Sequence, residues 1–203
     1  MEQNKTGLDL NKASNILRDG GVVAFPTETV MGMGVIYNDY QAYCKLNELK
    51  GRPEDKPYTM MLKSVDEIKK YAKINENAAK LIKKYMPGPL TILLESKENV
   101  PSYVTHNTGI VGIRVPKHKL LNELLDLVDL PLLVPSANPS GKPPSITFNN
   151  VLIYFNNTLG YIIESNSNGE PPSTIVKLIN NDVEVIREGS ISKQEILRTI
   201  RGD

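Results

Sequence analysis

Apolar and polar positions along this chain switch between two periods, and the switches mark its elements. Leu10, Ala13, Ile16 and Leu17 recur at helical spacing. Asp9 stands where an N-cap belongs, and Gly20 where a helix can stop. Val22 to Phe25 is a β-branched and aromatic run between Gly20-Gly21 and Pro26, which predicts a buried strand. Thr27 to Gly34 then reads as a loop dense in hydroxyls and glycines, in which Gly32 and Gly34 permit positive φ or close approach of backbone to a ligand. In open α/β sheets ligands sit beyond the carboxyl ends of strands, which makes this loop the first candidate wall of a site. Taken alone, it also reads as an ordinary strand-to-loop corner.

Asp39 predicts a second helix with Ala42, Tyr43, Leu46 and Leu49 on one face, delivering residues 50–57 into a loop. Tyr58 to Leu62 reads as a strand, and Ser64 with Glu67 as a capping box for a short helix reaching about Lys70. Asn75 opens a helix through Ala78, Leu81, Ile82 and Tyr85 that Met86-Pro87-Gly88-Pro89 stops. Leu90–Leu94 and Ile110–Val115 are strands, separated by a looser segment. A helix through Leu120, Leu121, Leu124 and Leu125 precedes a short strand, Leu132–Val134, that runs into a proline-rich loop at 135–144. A helix near 149–156, a strand at Tyr161–Ile163 and two strands, Ser173–Leu178 and Val183–Arg187, follow. The last two are joined at Asn180-Asn181-Asp182 as a hairpin. Ser192 and Glu195 form a second capping box. Alternating strands and helices argue an α/β domain, and the hairpin argues a mixed sheet within one domain over 1–203.

Composition narrows the picture. A chain of 203 residues, 40% hydrophobic, suits one sizeable core. A net charge of +1 provides no global field toward nucleic acid or membrane, so any anion site must arise from local clustering. The sole cysteine, Cys44, excludes a disulfide within the chain, and a small buried hydrophobe is the expectation for it. The polar start MEQNKTGLDLNK lacks the apolar centre of a signal peptide, and no apolar run reaches transmembrane length; a soluble cytoplasmic protein is expected.

Lys50, Arg52 and Lys56 place three cations within seven residues, with Glu54 and Asp55 partly cancelling them. Such a cluster is either a solvated loop or a phosphate site, Arg offering a fork of donors and Lys a point charge. Ser136 and Asn138 offer hydroxyl and amide groups to a nucleotide, or serve turn chemistry only. Arg114, within Ile113-Arg114-Val115, and Arg187, ending Val185-Ile186-Arg187, either snorkel to solvent or bind anions such as a carboxylate. Ser173-Thr174 can cap a turn or donate to a ligand. No P-loop, complete dinucleotide fingerprint or G-x-S-x-G elbow occurs. The two histidines, His106 and His118, lack metal-ligand spacing and read as surface or turn residues, so serine–histidine catalysis and zinc hydrolysis find no support. Cations, hydroxyls and backbone donors fit phosphate chemistry, where positioning and electrostatics dominate.

Read in order, these stretches carry a resemblance. They are Gly21-Val-Val-Ala-Phe-Pro-Thr-Glu-Thr-Val30, Lys50-Gly-Arg-Pro53, Met86-Pro-Gly-Pro-Leu-Thr91, Ile113-Arg-Val-Pro116, Pro135-Ser-Ala-Asn-Pro-Ser-Gly141, Pro172-Ser-Thr-Ile175 and Val185-Ile-Arg-Glu-Gly189. Together they resemble the YrdC family of threonylcarbamoyl-adenylate synthases in its single-domain form. The resemblance implies a twisted, mixed parallel and antiparallel open α/β sheet flanked by helices, with a concave, locally positive site. It implies that L-threonine, bicarbonate or CO2 and ATP give L-threonylcarbamoyl-adenylate with release of pyrophosphate. Other proteins then transfer the threonylcarbamoyl group to tRNA adenosine 37. On this resemblance Lys50 and Arg52 are the catalytic candidates. ATP is assigned to Lys50, Arg52, Lys56, Ser136, Asn138 and Arg187, and L-threonine to Thr27, Arg114 and Ser173. Mg²⁺ is expected to arrive on the phosphates, with no protein metal site. Lys56, Met61 and Met31 depart from the family pattern, standing where asparagine, histidine and tyrosine are common. A double-stranded RNA or tRNA-binding module, and a paralogue acting on a different substrate, remain the alternatives.

Overall fold

A computed structural model describes residues 5–51, 57–155, 158–180 and 182–202. Its elements, in chain order, are β1 (Thr6–Gly7), α1 (Leu10–Arg18), β2 (Val23–Phe25), β3 (Gly32–Ile36), α2 (Tyr40–Lys50) and β4 (Thr59–Met61). A 3₁₀ turn (Val65–Glu67) leads into α3 (Ile68–Tyr71), followed by α4 (Glu76–Tyr85), β5 (Leu90–Glu95), α5 (Ser102–Thr105), β6 (Ile110–Arg114) and α6 (Lys119–Val128). Then come β7 (Leu132–Val134), α7 (Phe148–Phe155), β8 (Tyr161–Ile163), β9 (Thr174–Ile179), β10 (Asp182–Arg187) and α8 (Lys193–Arg201).

The strands form one ten-stranded sheet in the order β1-β8-β2-β3-β7-β4-β6-β5-β9-β10. Pairs β1–β8, β8–β2, β4–β6 and β5–β9 are parallel. The others, including the predicted C-terminal hairpin β9–β10, are antiparallel. The mixed sheet expected from the sequence is therefore observed.

Local chemistry explains most helix ends. The side chains of Asp9, Asp39 and Asn75 accept from the N–H groups of Lys12, Ala42 and Ala78, satisfying donors that the first turn leaves orphaned. The Ser192–Glu195 capping box closes in both directions. The box expected at Ser64 does not form. The chain there enters a 3₁₀ turn, in which the Glu67 N–H donates to the Ser64 carbonyl (3.3 Å) rather than to its hydroxyl. The Glu67 carboxylate turns to Lys70 instead, at 3.1 Å. Leu17 of α1, Leu46 of α2, Leu81 of α4 and Leu121 and Leu124 of α6 are fully buried, each stabilising the fold by ~1.5–3 kcal/mol.

Three further expectations are corrected. Gly32 to Gly34 is not loop but the start of β3, pairing Phe25 with Gly32 and Ala24 with Met33. A Cβ on Gly32 would come within 2.8 Å of Val134 Cγ1 and 3.2 Å of the Phe25 ring. The absent side chain makes room for close packing of neighbours. Two short elements, β1 and α5, went unpredicted; β1 exists through its pairing with β8, a distant contact that no local pattern signals. Cys44 is exposed, because α2 buries the stripe Ala42, Tyr43, Leu46 and Lys50, and Cys44 lies off it. Among the described residues no helix is long and apolar enough to cross a membrane.

Candidate active site

A cavity of about 200 Å³ opens over the middle of the sheet. Val134 of β7, Thr59 and Met61 of β4, Arg114 of β6 and Ile175 of β9 contribute side chains to it, with Gly32 of β3 beside them. Strand register brings them together, since Thr59 lies opposite Val134 and Met61 beside Arg114. The β2–β3 turn, Pro135-Ser136, Pro172-Ser173 and Arg187 complete the wall.

One end is built around two guanidinium groups. Arg114 closes β6 and is only 5% exposed. Its Nη2 pairs with Glu28 Oε1 at 2.8 Å, and Nη1 and Nη2 reach Thr29 Oγ1 at 3.4 and 3.3 Å. The Lys117 N–H also donates to Glu28 Oε1, at 3.1 Å. Arg187, ending β10, donates from Nε and Nη2 to the Ser173 carbonyl at 3.1 and 2.7 Å, and from Nη2 to Ser173 Oγ at 3.2 Å. Burial, and secondly the facing Arg114 guanidinium, lower the Arg187 pKa from the usual arginine value. Both arginines therefore bond to protein groups; Arg114 is buried, which excludes the snorkelling reading for it, whereas Arg187 stays exposed at the cavity rim.

Thr27 organises the turn between β2 and β3. Its Oγ1 donates to the Val30 carbonyl at 2.8 Å and accepts from the Thr29 N–H at 3.0 Å. Ser173 is held against Thr91, with hydroxyl oxygens 3.1 Å apart. Just after β10 the chain lies flush on the Pro172-Ser173 segment: a Cβ on Gly189 would fall 1.9 Å from the Pro172 carbonyl oxygen. Thr174 begins β9, one residue inside the strand expected from Ser173, and its Oγ1 accepts from the N–H groups of Gly189 and Ile191, each at 3.0 Å.

The other end rests on Lys50, the last residue of α2, which is 3% exposed. Its ammonium donates to the carbonyl and hydroxyl of Ser136 (2.7 and 3.2 Å) and to the carbonyl and Oδ1 of Asn138 (2.6 and 3.0 Å). Asn138 Nδ2 donates to the carbonyls of Pro139 and Lys142, at 2.9 and 2.7 Å. Ser136 faces the cavity, with Lys50 and Asn138 fixing the loop that carries it. The geometry thus brings Thr27, Arg114, Ser136, Ser173 and Arg187 to one wall. Arg52 and Lys56 lie outside the described residues.

Neither histidine lines the cavity. His106 ends α5 in the left-handed region (φ 49°), its Nε2 3.1 Å from the Tyr43 hydroxyl. His118 precedes α6; burial lowers its pKa from the ordinary 6.5, against an opposing pull from Glu28. Among the described residues no three His, Cys, Asp or Glu side chains converge as a metal cage requires. Sequence reasoning took the Thr27–Gly34 stretch as a candidate wall but gave Glu28 and Thr29 no individual role. The available signal was a carboxylate between two threonines directly after a strand, a position too polar to be buried without a partner.

The family model Sua5_yciO_yrdC, described as telomere recombination, matches residues 15–189. The threonylcarbamoyl-AMP synthase of Pyrococcus abyssi is 36% identical over 193 residues, covering 93% of this chain and 56% of that protein. That of Bacillus subtilis is 34% identical over 188 residues, covering 91% and 54%. This chain therefore spans about half the length of these two relatives. A putative threonylcarbamoyl-AMP synthase of Methanocaldococcus jannaschii is 32% identical over 198 residues, covering 97% of this chain and 92% of that protein. Among solved structures, P. abyssi Sua5 complexed with L-threonine superposes with a TM-score of 0.90 at 35% identity, covering 94% of this chain and 57% of that one. Escherichia coli YciO shares the fold, with a TM-score of 0.86 at 24% identity, covering 97% and 100%. With the family's signature running through most of its length and the fold of two solved relatives, this chain belongs to the Sua5/YciO/YrdC family.

Proposed function

We propose that this protein makes L-threonylcarbamoyl-adenylate from L-threonine, bicarbonate or CO2 and ATP, releasing pyrophosphate. The observation that carries the proposal is the convergence of Arg114 and Arg187, with Ser173 and Thr29, on one cavity whose opposite edge is the Lys50-anchored Ser136. A carboxylate receptor lies beside a loop suited to phosphates. The L-threonine complex of the P. abyssi relative, and the names of the curated relatives, support the choice of amino acid and product.

In this reading Arg114 takes the substrate carboxylate, with Ser173 and Thr27 shaping the amino-acid end. The amine, released from its proton, attacks CO2 and becomes a carbamate. A carbamate oxygen then attacks the α-phosphorus, and the bond to pyrophosphate breaks. Lys50, Arg52 and Lys56, with Arg187 from across the cavity, stabilise the charge that grows on the phosphate oxygens. Lys50 and Arg52 are the catalytic pair. Ser136 and Asn138 hold the nucleotide. Mg²⁺ would arrive on the triphosphate and offset part of its charge. The product serves tRNA-modifying transfer proteins, and the proposed location is the cytoplasm, where ATP and tRNA meet.

Pyrophosphate release is the test. With ATP, bicarbonate and a panel of amino acids, release is expected only when bicarbonate and L-threonine are both present. Release indifferent to L-threonine overturns the proposal, and salt-sensitive RNA binding without turnover points to an RNA-binding module instead.

A further inference from the structure

We propose that the Tyr58 hydroxyl positions the nucleotide edge of the cavity by clasping the last turn of α2 through Asn47. The inference rests on the nucleotide side proposed above and adds to it a positioning residue. Tyr58, the residue before β4, is 3% exposed and lines the cavity. Its hydroxyl donates to Asn47 Oδ1 at 2.5 Å. Asn47 stands about one turn before Lys50 on α2, and its carbonyl accepts from the Gly51 N–H at 2.9 Å. The Tyr43 ring packs edge-on against Tyr58, with centroids 5.9 Å apart, and restricts the phenol to this direction. A buried tyrosine hydroxyl needs a partner wherever it lies. The informative feature is which partner it has: a side chain on the turn that ends in Lys50.

The bond closes a circuit. From Asn47 the helix leads to Lys50, whose ammonium donates to the Ser136 carbonyl at 2.7 Å. Ser136 follows the end of β7 by two residues. Val134, the last residue of β7, lies opposite Thr59 in the β7–β4 ladder, and Thr59 follows Tyr58. Two side-chain clasps, Lys50 to Ser136 and Tyr58 to Asn47, thus join three stretches of backbone into one ring, and Ser136 is the member that faces the cavity on the nucleotide side. Opening the Tyr58 clasp lets the last turn of α2 shift against β4, and the Lys50 ammonium and Ser136 shift with it. Phosphoryl transfer depends on donor placement, and a misplacement of about 1 Å costs up to about 10²-fold in rate. The amino-acid end lies outside the ring. Arg114 is held by Glu28 and Thr29, and Ser173 by Thr91 and Arg187.

Tyr58→Phe tests this, since it deletes the hydroxyl and keeps the ring. The readouts are kcat/KM for ATP in pyrophosphate release and the L-threonine affinity by calorimetry without ATP. The first is expected to fall about five- to thirtyfold, and the second to stay within about twofold. Asn47→Ala removes the other half of the same bond and should give a similar fall, with the double variant within about twofold of either single one. A bond that serves stability alone would weaken both ends in step or lower only the urea midpoint. Wild-type kcat/KM for ATP in folded Tyr58→Phe, or losses that multiply in the double variant, overturns the inference. If Tyr58→Phe does not fold, Asn47→Ala is read in the same two assays, and equal losses at both ends overturn it. Failure of the wild type to release pyrophosphate at all removes the proposed function itself, a result distinct from these.

Discussion

The two ends of the cavity anchor their cations in opposite ways. Arg114 is held by a carboxylate, so its donors are oriented but its charge is offset. Lys50, behind the wall rather than in it, makes four contacts to carbonyl, hydroxyl and amide oxygens of Ser136 and Asn138, all uncharged groups, so its charge is not offset by them. The contrast matches what each end is proposed to bind. A carboxylate is a small planar anion, best recognised by a fixed fork of donors. A triphosphate carries several charges that grow and shift during reaction, and a point charge serves it better. The supports differ as well. Arg114 and Arg187 project from strand ends, whereas the Ser136–Asn138 segment is loop, tied down by the Lys50 ammonium and by backbone bonds to the β2–β3 turn.

That contrast can be broken from either side. Arg114→Met leaves Glu28 buried without its cation and should show the largest loss, about 3–5 kcal/mol in urea unfolding. Adding Glu28→Gln to it should restore most of the stability without restoring L-threonine binding; recovery of binding would remove Arg114 from the carboxylate role. Lys50→Met strands four acceptors on the nucleotide side and should cost about 2–3 kcal/mol. L-threonine affinity measured without ATP should survive this change while ATP affinity falls, and loss of both in equal measure would show that the two ends are not separable.

Gly189→Ala pushes a methyl into the Pro172 carbonyl and should cost about 1–3 kcal/mol. Because it displaces Ser173 and Arg187, its kinetic signature should be a raised KM for L-threonine. The smallest effect concerns His118. Its folded pKa lies below 6.5, so the unfolded chain binds more protons as acid is added. Stability is complete above pH 6.5 and declines as pH falls through the ordinary value toward the lowered one. His118→Gln should flatten that part of the curve in urea midpoints taken from pH 7.5 to 5.5, and an unaltered slope would assign it to another group.

Much of this was legible in the sequence, for reasons that particular residues make plain. Asp9, Asp39, Asn75 and Ser192 act on donors within four residues of themselves, so sequence order carries the information. Arg114 was visible because a cation between Ile113 and Val115 needs an explanation. Glu28 was not, because its partner is contributed by a strand 86 positions further on and nothing near it in sequence signals the pairing. Gly32 was read as loop since a glycine's neighbours in space, here Phe25 and Val134, leave no mark on its neighbours in sequence. Ser64 and Glu67 have the right spacing for a cap, but the chain there takes the tighter 3₁₀ turn and the Glu67 carboxylate pairs with Lys70.

The ties of the 135–145 loop have a consequence for how the site opens. The Ser140 N–H bonds to the Lys50 carbonyl, the Ala137 N–H to the Met31 carbonyl, and the Met31 N–H to the Ser145 carbonyl. The loop is stitched to the end of α2 on one side and to the β2–β3 turn on the other. These backbone groups cannot part singly. They form one cooperative unit, and amide hydrogen exchange at Met31, Ala137 and Ser140 should report a common opening free energy. A nucleotide seated on this loop would then leave at the pace of a segmental opening rather than of a side-chain swing, so its residence time would track the stability of the last turn of α2.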